Sequence, residues 1–377
     1  MHSINTNRIS LSIFFFLSGF NFSSWASRIP TIVSTLNLNE AELGSILLTM
    51  PVSSLIGLPL SSWLVTRFDS RFPLIVAMVL NAVSLSLIGL AATPLMLVVA
   101  LFLFSLSMRV FNIAVNTQAI TLQKQFDRKI NGSFHGLWST GGIVGVGFTT
   151  LLVSLGVSMA PHLISVSIFT SLIVLGAFPY LLRNDRSTTG NKLTLGKPDP
   201  YILYLGLLVF FAALCEGGMF DWSGIYFQQV VREEVFTVGY LTFMFFMALS
   251  PFASDRIIEK IGMERTYVLS ASLIFSGIAL AILFPDFWPA MIGFSLVGFG
   301  TASVIPMTYT LAGASKKYSP GIAISMIVTF GIVGMLMGPP LIGYLAHAFN
   351  LKFAFVTFAL AGAMLIPISR KFFRLER

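Results

Sequence analysis

Three ionisable side chains, Arg109, Glu216 and Asp221, lie inside long apolar runs of this sequence. A charged group inside a bilayer is costly unless it is paired or faces water, so each of the three is a functional candidate. Asn112 and Asn116 follow Arg109 at i+3 and i+7, which places their side chains on one face of a helix. We expect this polar face to line a cavity and to bind a solute through hydrogen bonds.

The segment around Glu216 combines a carboxylate with two glycines. Gly217 and Gly218 have low helix propensity, which predicts a break in the helix near Glu216. Acidic side chains inside membrane segments commonly form proton relays, so Glu216 is the first candidate for proton coupling. The alternative is a permanent structural ion pair between the two bundles, in which the carboxylate fixes the fold and moves no proton.

A second titratable candidate, His135, stands at the start of another apolar run. Histidine changes its charge near neutral pH, which suits a role in proton coupling. The alternative for His135 is a polar cap at the beginning of a helix.

Aromatic and polar side chains near the ends of two apolar runs are candidates for substrate binding. Asn21, Trp25 and Arg28 stand at i, i+4 and i+7 on one helical face, and Asp221 is followed by Trp222. We assign Asn21, Trp25, Asp221 and Trp222 to substrate binding. The alternatives are that the tryptophans anchor the protein at the membrane surface, that Asp221 faces water, and that Arg28 snorkels.

The composition excludes a soluble protein. Of the 377 residues, 55% are hydrophobic and 10% are charged, whereas about a quarter are charged in soluble domains. The net charge is +8, but the basic residues recur between apolar runs and form no patch with aromatics, so nucleic acid is not an expected partner.

The sequence has no motif that would bind a cofactor or metal. The single cysteine, Cys215, cannot form an intrachain disulfide, and no cysteine-histidine cluster is present. A Walker A motif and a nucleophile with its base are also missing. We therefore expect no cofactor, no metal and no enzymatic activity.

Twelve apolar runs are each close to the roughly 20 residues that cross a bilayer as a helix. They cover residues 9–26, 43–65, 72–91, 95–122, 133–155, 163–182, 201–227, 236–253, 267–284, 287–312, 322–346 and 353–368. These runs predict an all-α integral membrane protein. The predicted parts are an N-terminal six-helix bundle (1–182), a cytoplasmic central loop (183–200) and a C-terminal six-helix bundle (201–377).

The positive residues predict the orientation of the chain. If the N-terminus is cytoplasmic, 19 of the 23 Lys and Arg residues fall in cytoplasmic loops and tails. This asymmetry is typical of membrane proteins and places both termini in the cytoplasm. We expect a multi-pass protein of the bacterial inner membrane.

Two landmarks indicate an internal duplication. Arg67 and Arg256, in similar basic turns, are 189 positions apart, and so are the Gly-Ile-Val-Gly segments that begin at Gly142 and Gly331. Six helices is an even number, so both copies would enter the membrane from the same side, as in two-bundle transporters. The glycines of 132–147 and 331–343 predict close helix packing, and Pro306 predicts a kink.

The basic turns resemble the loop between the second and third helices of the major facilitator superfamily. The chain resembles this superfamily over essentially its whole length. By this resemblance the turns form a cytoplasmic gate, whose residues here are Arg67, Asp69, Arg71, Asp255 and Arg256. Shorter motifs are similar to the YbjJ-type permeases, near the fucose-permease branch. They are the segment 25–30, Ala114-Val115-Asn116, His135-Gly136-Leu137, and Glu216-Gly217-Gly218 with Asp221-Trp222.

The resemblance and the polar face together predict a secondary active transporter that works by alternating access and is coupled to protons. The expected partners are a small polar solute, sugar-like or carboxylated, together with protons and the lipid bilayer, and the protein is expected to be a monomer. Two alternatives stay open. They are proton-driven efflux of amphipathic compounds and a membrane sensor of the same fold that transports nothing.

Overall fold

The computed structural model describes residues 3–126, 130–183, 185, 199–318 and 320–376, apart from the side chains of residues 251, 252, 255, 320 and 321. Within these ranges the regular structure is helical throughout. Eleven helical stretches are long and apolar enough to cross a membrane, and Thr237–Ser250 is a shorter apolar helix. The prediction of an all-helical membrane protein is confirmed, whereas twelve crossings and cytoplasmic termini stay predictions.

Fourteen α-helices are described in these residues. In chain order they are α1 (Ile4–Ala26), α2 (Ile29–Leu36), α3 (Glu40–Leu47), α4 (Thr49–Arg67), α5 (Arg71–Gly89), α6 (Pro94–Gln123), α7 (Asn131–Ser154), α8 (Met159–Ala177), α9 (Pro200–Tyr226), α10 (Thr237–Leu283), α11 (Phe287–Thr301), α12 (Val304–Gly313), α13 (Pro320–Ala348) and α14 (Leu351–Glu376). Helix α10 contains one non-helical residue, Gly262, with φ of 79°.

The chain divides into two compact units. Unit 1 comprises residues 1–37 and 49–191, and unit 2 comprises residues 38–48 and 192–377. Helix α3 thus belongs to unit 2, where it packs on α13 and Ser45 Oγ lies 3.0 Å from the hydroxyl of Tyr344. The bundle limits inferred from the sequence stay predictions.

Polar caps explain the first residues of α6 and α9, the helices formed by the two longest predicted runs. The Thr93 hydroxyl accepts a hydrogen bond from the backbone N–H of Met96, and the Asp199 carboxylate accepts one from Ile202. A proline follows each cap at the first helical position, where its missing N–H costs nothing. Helices α6 and α9 therefore start one residue before the predicted runs.

Glycines allow α1 and α7 to approach closely in unit 1. A Cβ atom added at Gly141 would lie 1.9 Å from the backbone oxygen of Phe16. A similar close approach occurs in unit 2, where a Cβ atom at Gly334 of α13 would lie 2.4 Å from the oxygen of Phe210 on α9. The prediction that the glycines serve helix packing is confirmed for Gly141 and Gly145 of α7 and for Gly331, Gly334 and Gly343 of α13. It is wrong for Gly132, Gly136 and Gly147, where an added Cβ atom would have nothing within 4 Å among the described residues.

The predicted break at Gly217 and Gly218 is wrong, because α9 is helical from Pro200 to Tyr226. The glycines have a packing role instead. A Cβ atom at Gly218 would lie 2.2 Å from Cε1 and Cζ of Phe358 on α14, so glycine makes room for the ring.

The kink predicted at Pro306 is confirmed. Helix α11 ends at Thr301 and α12 begins at Val304, so the helical run is interrupted just before the proline. Proline has no N–H to donate to the carbonyl four residues earlier, which weakens the helix at this point.

Candidate solute and proton site

Helix α6 presents the predicted polar face in unit 1. Arg109, Asn112 and Asn116 are all partly exposed. Asn116 Nδ2 donates a hydrogen bond of 2.7 Å to the backbone oxygen of Asn112. The side-chain amide of Asn112 has no hydrogen-bond partner in the described part of the chain. This amide is therefore available to a ligand.

Helix α4 fixes the orientation of Arg109. Arg109 Nε donates a hydrogen bond of 2.7 Å to Ser54 Oγ. One turn further along α4, Gly57 lets the arginine stem approach, since a Cβ atom there would lie 3.1 Å from Arg109 Cβ. No carboxylate pairs with Arg109 among the described residues of unit 1, which leaves its terminal nitrogens free to bind an anion or a hydroxyl group.

Asn21 lies in a buried hydrogen-bond network inside unit 1. Its Nδ2 donates to Asn81 Oδ1 at 3.1 Å, and Thr170 Oγ1 donates to its Oδ1 at 2.8 Å. Asn81 in turn donates to the backbone oxygen of Phe104 at 3.2 Å. The amide of Asn21 thus connects α1 with α5 and α8, and this network was not apparent from the sequence.

Trp25 and Trp222 are both buried, with 1% and 0% of their surface exposed. Neither indole Nε1 has a hydrogen-bond partner within the described residues. A membrane anchor would be exposed to the bilayer, so the anchor alternative is wrong for both tryptophans. Trp288, which is 71% exposed, fits that role.

Arg28 and His162 form a buried pair that the sequence analysis missed. Arg28 Nε donates to His162 Nδ1 at 3.1 Å, and an Nη donates to the backbone oxygen of Val157 at 2.9 Å. His162 Nε2 lies 3.5 Å from Thr149 Oγ1. Arg28 lies in the turn between α1 and α2 and is 3% exposed, so its side chain does not snorkel. His162 was overlooked because it stands one position before a predicted apolar run.

Removing the guanidinium of Arg28 should destabilise unit 1. In Arg28→Met the buried acceptors on His162 and Val157 lose their donor, and such a loss costs about 1–3 kcal/mol. We expect a lower thermal unfolding midpoint for the purified protein, measured by intrinsic fluorescence. The double variant Arg28→Met/His162→Leu should recover part of the loss, because it replaces both partners by apolar groups. A single variant as stable as the wild type would contradict this account.

Glu216 and Asp221 lie on α9 in unit 2, and both are partly exposed. Neither carboxylate has a hydrogen-bond or ion-pair partner among the described residues of that unit. Tyr309, three residues after Pro306 on α12, is within electrostatic range of Glu216. The kinked helix thus brings a phenol towards the carboxylate, which the sequence analysis did not identify.

His135 is exposed and lies in the second turn of α7. Its ring packs edge-on against Phe15 at a centroid distance of 5.6 Å. The start of α7 is capped by another residue, because Gln123 Oε1 accepts hydrogen bonds from the backbone N–H groups of Ile130 and Asn131. The alternative of a capping role for His135 is therefore wrong.

The first gate turn is held by a carboxylate from outside the turn. Ser70 donates its backbone N–H, at 2.9 Å, and its hydroxyl to the carboxylate of Asp185. Arg67 is exposed, and the guanidinium carbon of Arg71 lies 4.5 Å from the centroid of the Phe72 ring.

In the second turn Arg256 is exposed, whereas the side chain of Asp255 lies outside the described residues.

Titration of Asp185 should make the stability of unit 1 depend on pH. Burial raises the pKa of Asp185 above its ordinary value, and the charge of Asp69 adds to this, although hydrogen bonds from Ser70 lower it. The folded state therefore binds the proton more tightly than the unfolded state. The stabilisation that comes from this tighter proton binding is present at low pH. It is lost as the pH rises from about 3.9, the ordinary pKa of Asp, through the raised pKa of the folded state.

Asp185→Asn should remove this contribution, because an amide can still accept from and donate to Ser70 without titrating. We expect the difference in unfolding midpoint between Asp185→Asn and the wild type to grow as the pH rises over this window. A difference that is constant with pH would show that the carboxylate does not titrate as described.

Two units of apolar helices, each with a few polar groups that have no partner among the described residues of that unit, are typical of a multi-pass membrane protein of the transporter class. The sequence profile of the Major Facilitator Superfamily matches residues 11–270 and 235–377, and the chain belongs to this superfamily. It is a transporter-type membrane protein and not an enzyme.

Several proteins are similar over nearly their full length. An uncharacterised MFS-type transporter of Yersinia pestis is 30% identical over 357 residues, which cover 94% of this chain and 93% of the relative. Membrane protein MosC of Rhizobium meliloti is 28% identical over 370 residues, which cover 96% of this chain and 89% of the relative. The crystal structure of the nucleoside transporter NupG matches with a TM-score of 0.76 at 13% identity, covers 98% of each chain, and supports the fold alone.

Proposed function

We propose that the chain is a secondary active transporter that carries a small polar solute across the bacterial inner membrane by alternating access, coupled to protons. The observation that carries the proposal is Glu216, a partly exposed carboxylate without a partner among the described residues of unit 2. A structural ion pair within unit 2 would have occupied this group. A carboxylate in a membrane segment that is free of such a pair can bind and release a proton during a transport cycle.

The polar face of α6 supports a hydrogen-bonding solute. Arg109 is oriented by Ser54, and its terminal nitrogens have no carboxylate partner among the described residues of unit 1. The side-chain amide of Asn112 has no hydrogen-bond partner in the described chain. A guanidinium binds carboxylates in a two-bond geometry, and an amide binds hydroxyls and carbonyls. This combination favours a sugar-like or carboxylated metabolite, with Asn116 as a third contact.

The other candidate residues fall into four roles. Asp221 and Trp222 contribute to solute binding from α9, and Trp25 of α1 offers an indole N–H that has no partner among the described residues. Asn21 positions α1 through its buried network, and His135 is a secondary site for protons. The gate residues are Arg67, Asp69, Arg71, Asp255 and Arg256.

The proposed arrangement has twelve crossings, both termini in the cytoplasm, bundles at 1–182 and 201–377, and a monomer as the transporting species. A central loop at 183–200 joins the bundles on the cytoplasmic side. Limited proteolysis of inside-out and right-side-out vesicles tests this arrangement, since the loop should be cleaved only in inside-out vesicles.

Counterflow in proteoliposomes tests the proposed function. Vesicles preloaded with an unlabelled solute receive traces of the same labelled compound, and a panel of monosaccharides, carboxylates and nucleosides is compared with and without a pH gradient. Nucleosides enter the panel because NupG is named as their transporter. We expect uptake of one polar class, increased by the gradient. Transport restricted to amphipathic dyes would favour the efflux alternative, and no transport of any compound would favour the sensor.

A further inference from the structure

A cavity of about 540 Å³ opens between α4, α5 and α6 of unit 1. It lies beside the gate turn, and its apolar lining includes Leu60, Phe68, Phe72 and Val76, all of which are at least 40% exposed. Ser107 is the polar residue of the lining, and its hydroxyl is bonded to the backbone oxygen of Phe104. This surface, which we call groove 1, offers an open apolar space without a free polar group.

Unit 2 contains a second cavity, groove 2, of about 400 Å³. It is lined by Leu249, Ala253, Arg256, Ile257, Lys260 and Phe299. Groove 2 therefore combines an apolar lining with two cationic side chains of the second gate turn. Both volumes lie within the roughly 300–1,000 Å³ typical of small-molecule sites.

The two grooves correspond residue by residue at the spacing of the internal duplication. Four pairs of lining residues are 189 positions apart, namely Leu60 and Leu249, Leu64 and Ala253, Phe68 and Ile257, and Val110 and Phe299. The cations at the grooves follow the same spacing, Arg67 with Arg256 and Arg71 with Lys260. An accidental gap in helix packing would not be expected in both units at equivalent positions with equivalent charges.

The cations at groove 1 are placed to meet an anion. The guanidinium of Arg71 lies over Phe72, a lining residue, and its buried Nε has no hydrogen-bond partner among the described residues. Arg67 and Arg183 add two exposed cations to this end of unit 1. Two acids share the region, Asp69 and Asp185, and the carboxylate of Asp185 is already bonded to Ser70.

We propose that each groove binds one anionic phospholipid, with an acyl chain in the apolar cavity and the phosphate on the adjacent cations. In groove 1 the cations are Arg67 and Arg71, and in groove 2 they are Arg256 and Lys260. Basic pockets between membrane helices on the cytoplasmic side bind anionic headgroups, and guanidinium groups form strong charge-assisted bonds to phosphate. These lipid sites do not depend on the solute or on proton coupling.

Retention of lipid by the full-length protein in native mass spectrometry tests the proposal. Protein in zwitterionic nanodiscs is exposed to phosphatidylglycerol, and the bound lipids are counted after gentle release. We expect two retained phosphatidylglycerols. Val76→Trp should fill groove 1 and leave one, and Val76→Trp/Leu249→Trp should leave none.

Val83→Trp is the matched control, because Val83 lies two turns further along α5, is 42% exposed and does not line the groove. It should retain both lipids. Arg71→Gln should weaken binding at groove 1 about fivefold, the expected effect of one cation near an anionic surface.

Three outcomes would overturn the proposal. They are equal retention of phosphatidylcholine, equal loss of lipid in Val76→Trp and Val83→Trp, and displacement of the lipid by inorganic phosphate alone. The last result would mean that the cations bind free phosphate and that the grooves contribute nothing. All the tryptophan variants change exposed residues, so an unfolding transition unchanged from the wild type accompanies each count.

Discussion

Glu216→Gln should abolish solute accumulation driven by a pH gradient while leaving counterflow of the same solute in place. Glutamine keeps the size and hydrogen-bonding groups of glutamate but cannot release a proton, so the variant resembles a carrier fixed in the protonated state. Solute exchange needs no change of protonation, whereas net accumulation against a gradient does. The measurement is uptake of labelled solute into proteoliposomes with an acidic exterior.

The matched control is Glu234→Gln, which makes the same chemical change at an exposed residue of unit 2. It should accumulate solute as the wild type does. If Glu216→Gln also lost counterflow, the carboxylate would be a solute ligand. If it kept full accumulation, Glu216 would have no part in coupling, and Asp221 would become the next carboxylate to test.

Gly141→Ala should strongly destabilise unit 1. The added Cβ atom would lie 1.9 Å from the backbone oxygen of Phe16, so α1 and α7 would have to separate. Overpacking of a tight contact costs about 1–3 kcal/mol, and here the opposing atom belongs to the backbone and cannot rotate away. We expect a clear fall in the thermal unfolding midpoint in detergent and a lower yield of folded protein.

Gly147→Ala, on the same helix, is the control because nothing lies within 4 Å of its added Cβ atom. Alanine has a higher helix propensity than glycine, so this variant should be as stable as the wild type or up to about 1 kcal/mol more stable. Equal stability of Gly141→Ala and Gly147→Ala would show that the contact between α1 and α7 is not tight.

The helices could be predicted from the sequence because each bilayer-length apolar run is a local signal. The starts of α6 and α9 were also within reach, since Thr93 and Asp199 each precede a proline. The duplication was inferred because one landmark is identical and the other similar in sequence at the same spacing of 189 positions. The helices and their starts depend on residues close together in the chain.

The partners of the polar groups could not be predicted, because they come from distant parts of the chain. Arg28 and His162 are 134 positions apart, and Ser70 and Asp185 are 115 apart. The glycine pair after Glu216 was misread for the same reason. Its low helix propensity is real, but the ring of Phe358, far along the chain, decides its role as a packing surface.

The buried tryptophans illustrate a further limit. A tryptophan near the end of an apolar run has the same sequence context whether it faces lipid or the interior of a bundle. Trp222 is fully buried and Trp288 is exposed, although both lie near ends of membrane helices. Only the packing of neighbouring helices separates the two cases.

Proton movement that accompanies solute movement tests the central claim most directly. Proteoliposomes with a pH-sensitive dye inside, and no imposed gradient, receive the solute identified by counterflow. Coupled transport predicts a change of internal pH that starts with solute addition, scales with solute flux and disappears in Glu216→Gln. A solute that enters at the wild-type rate with no change of internal pH would contradict proton-coupled transport by this protein.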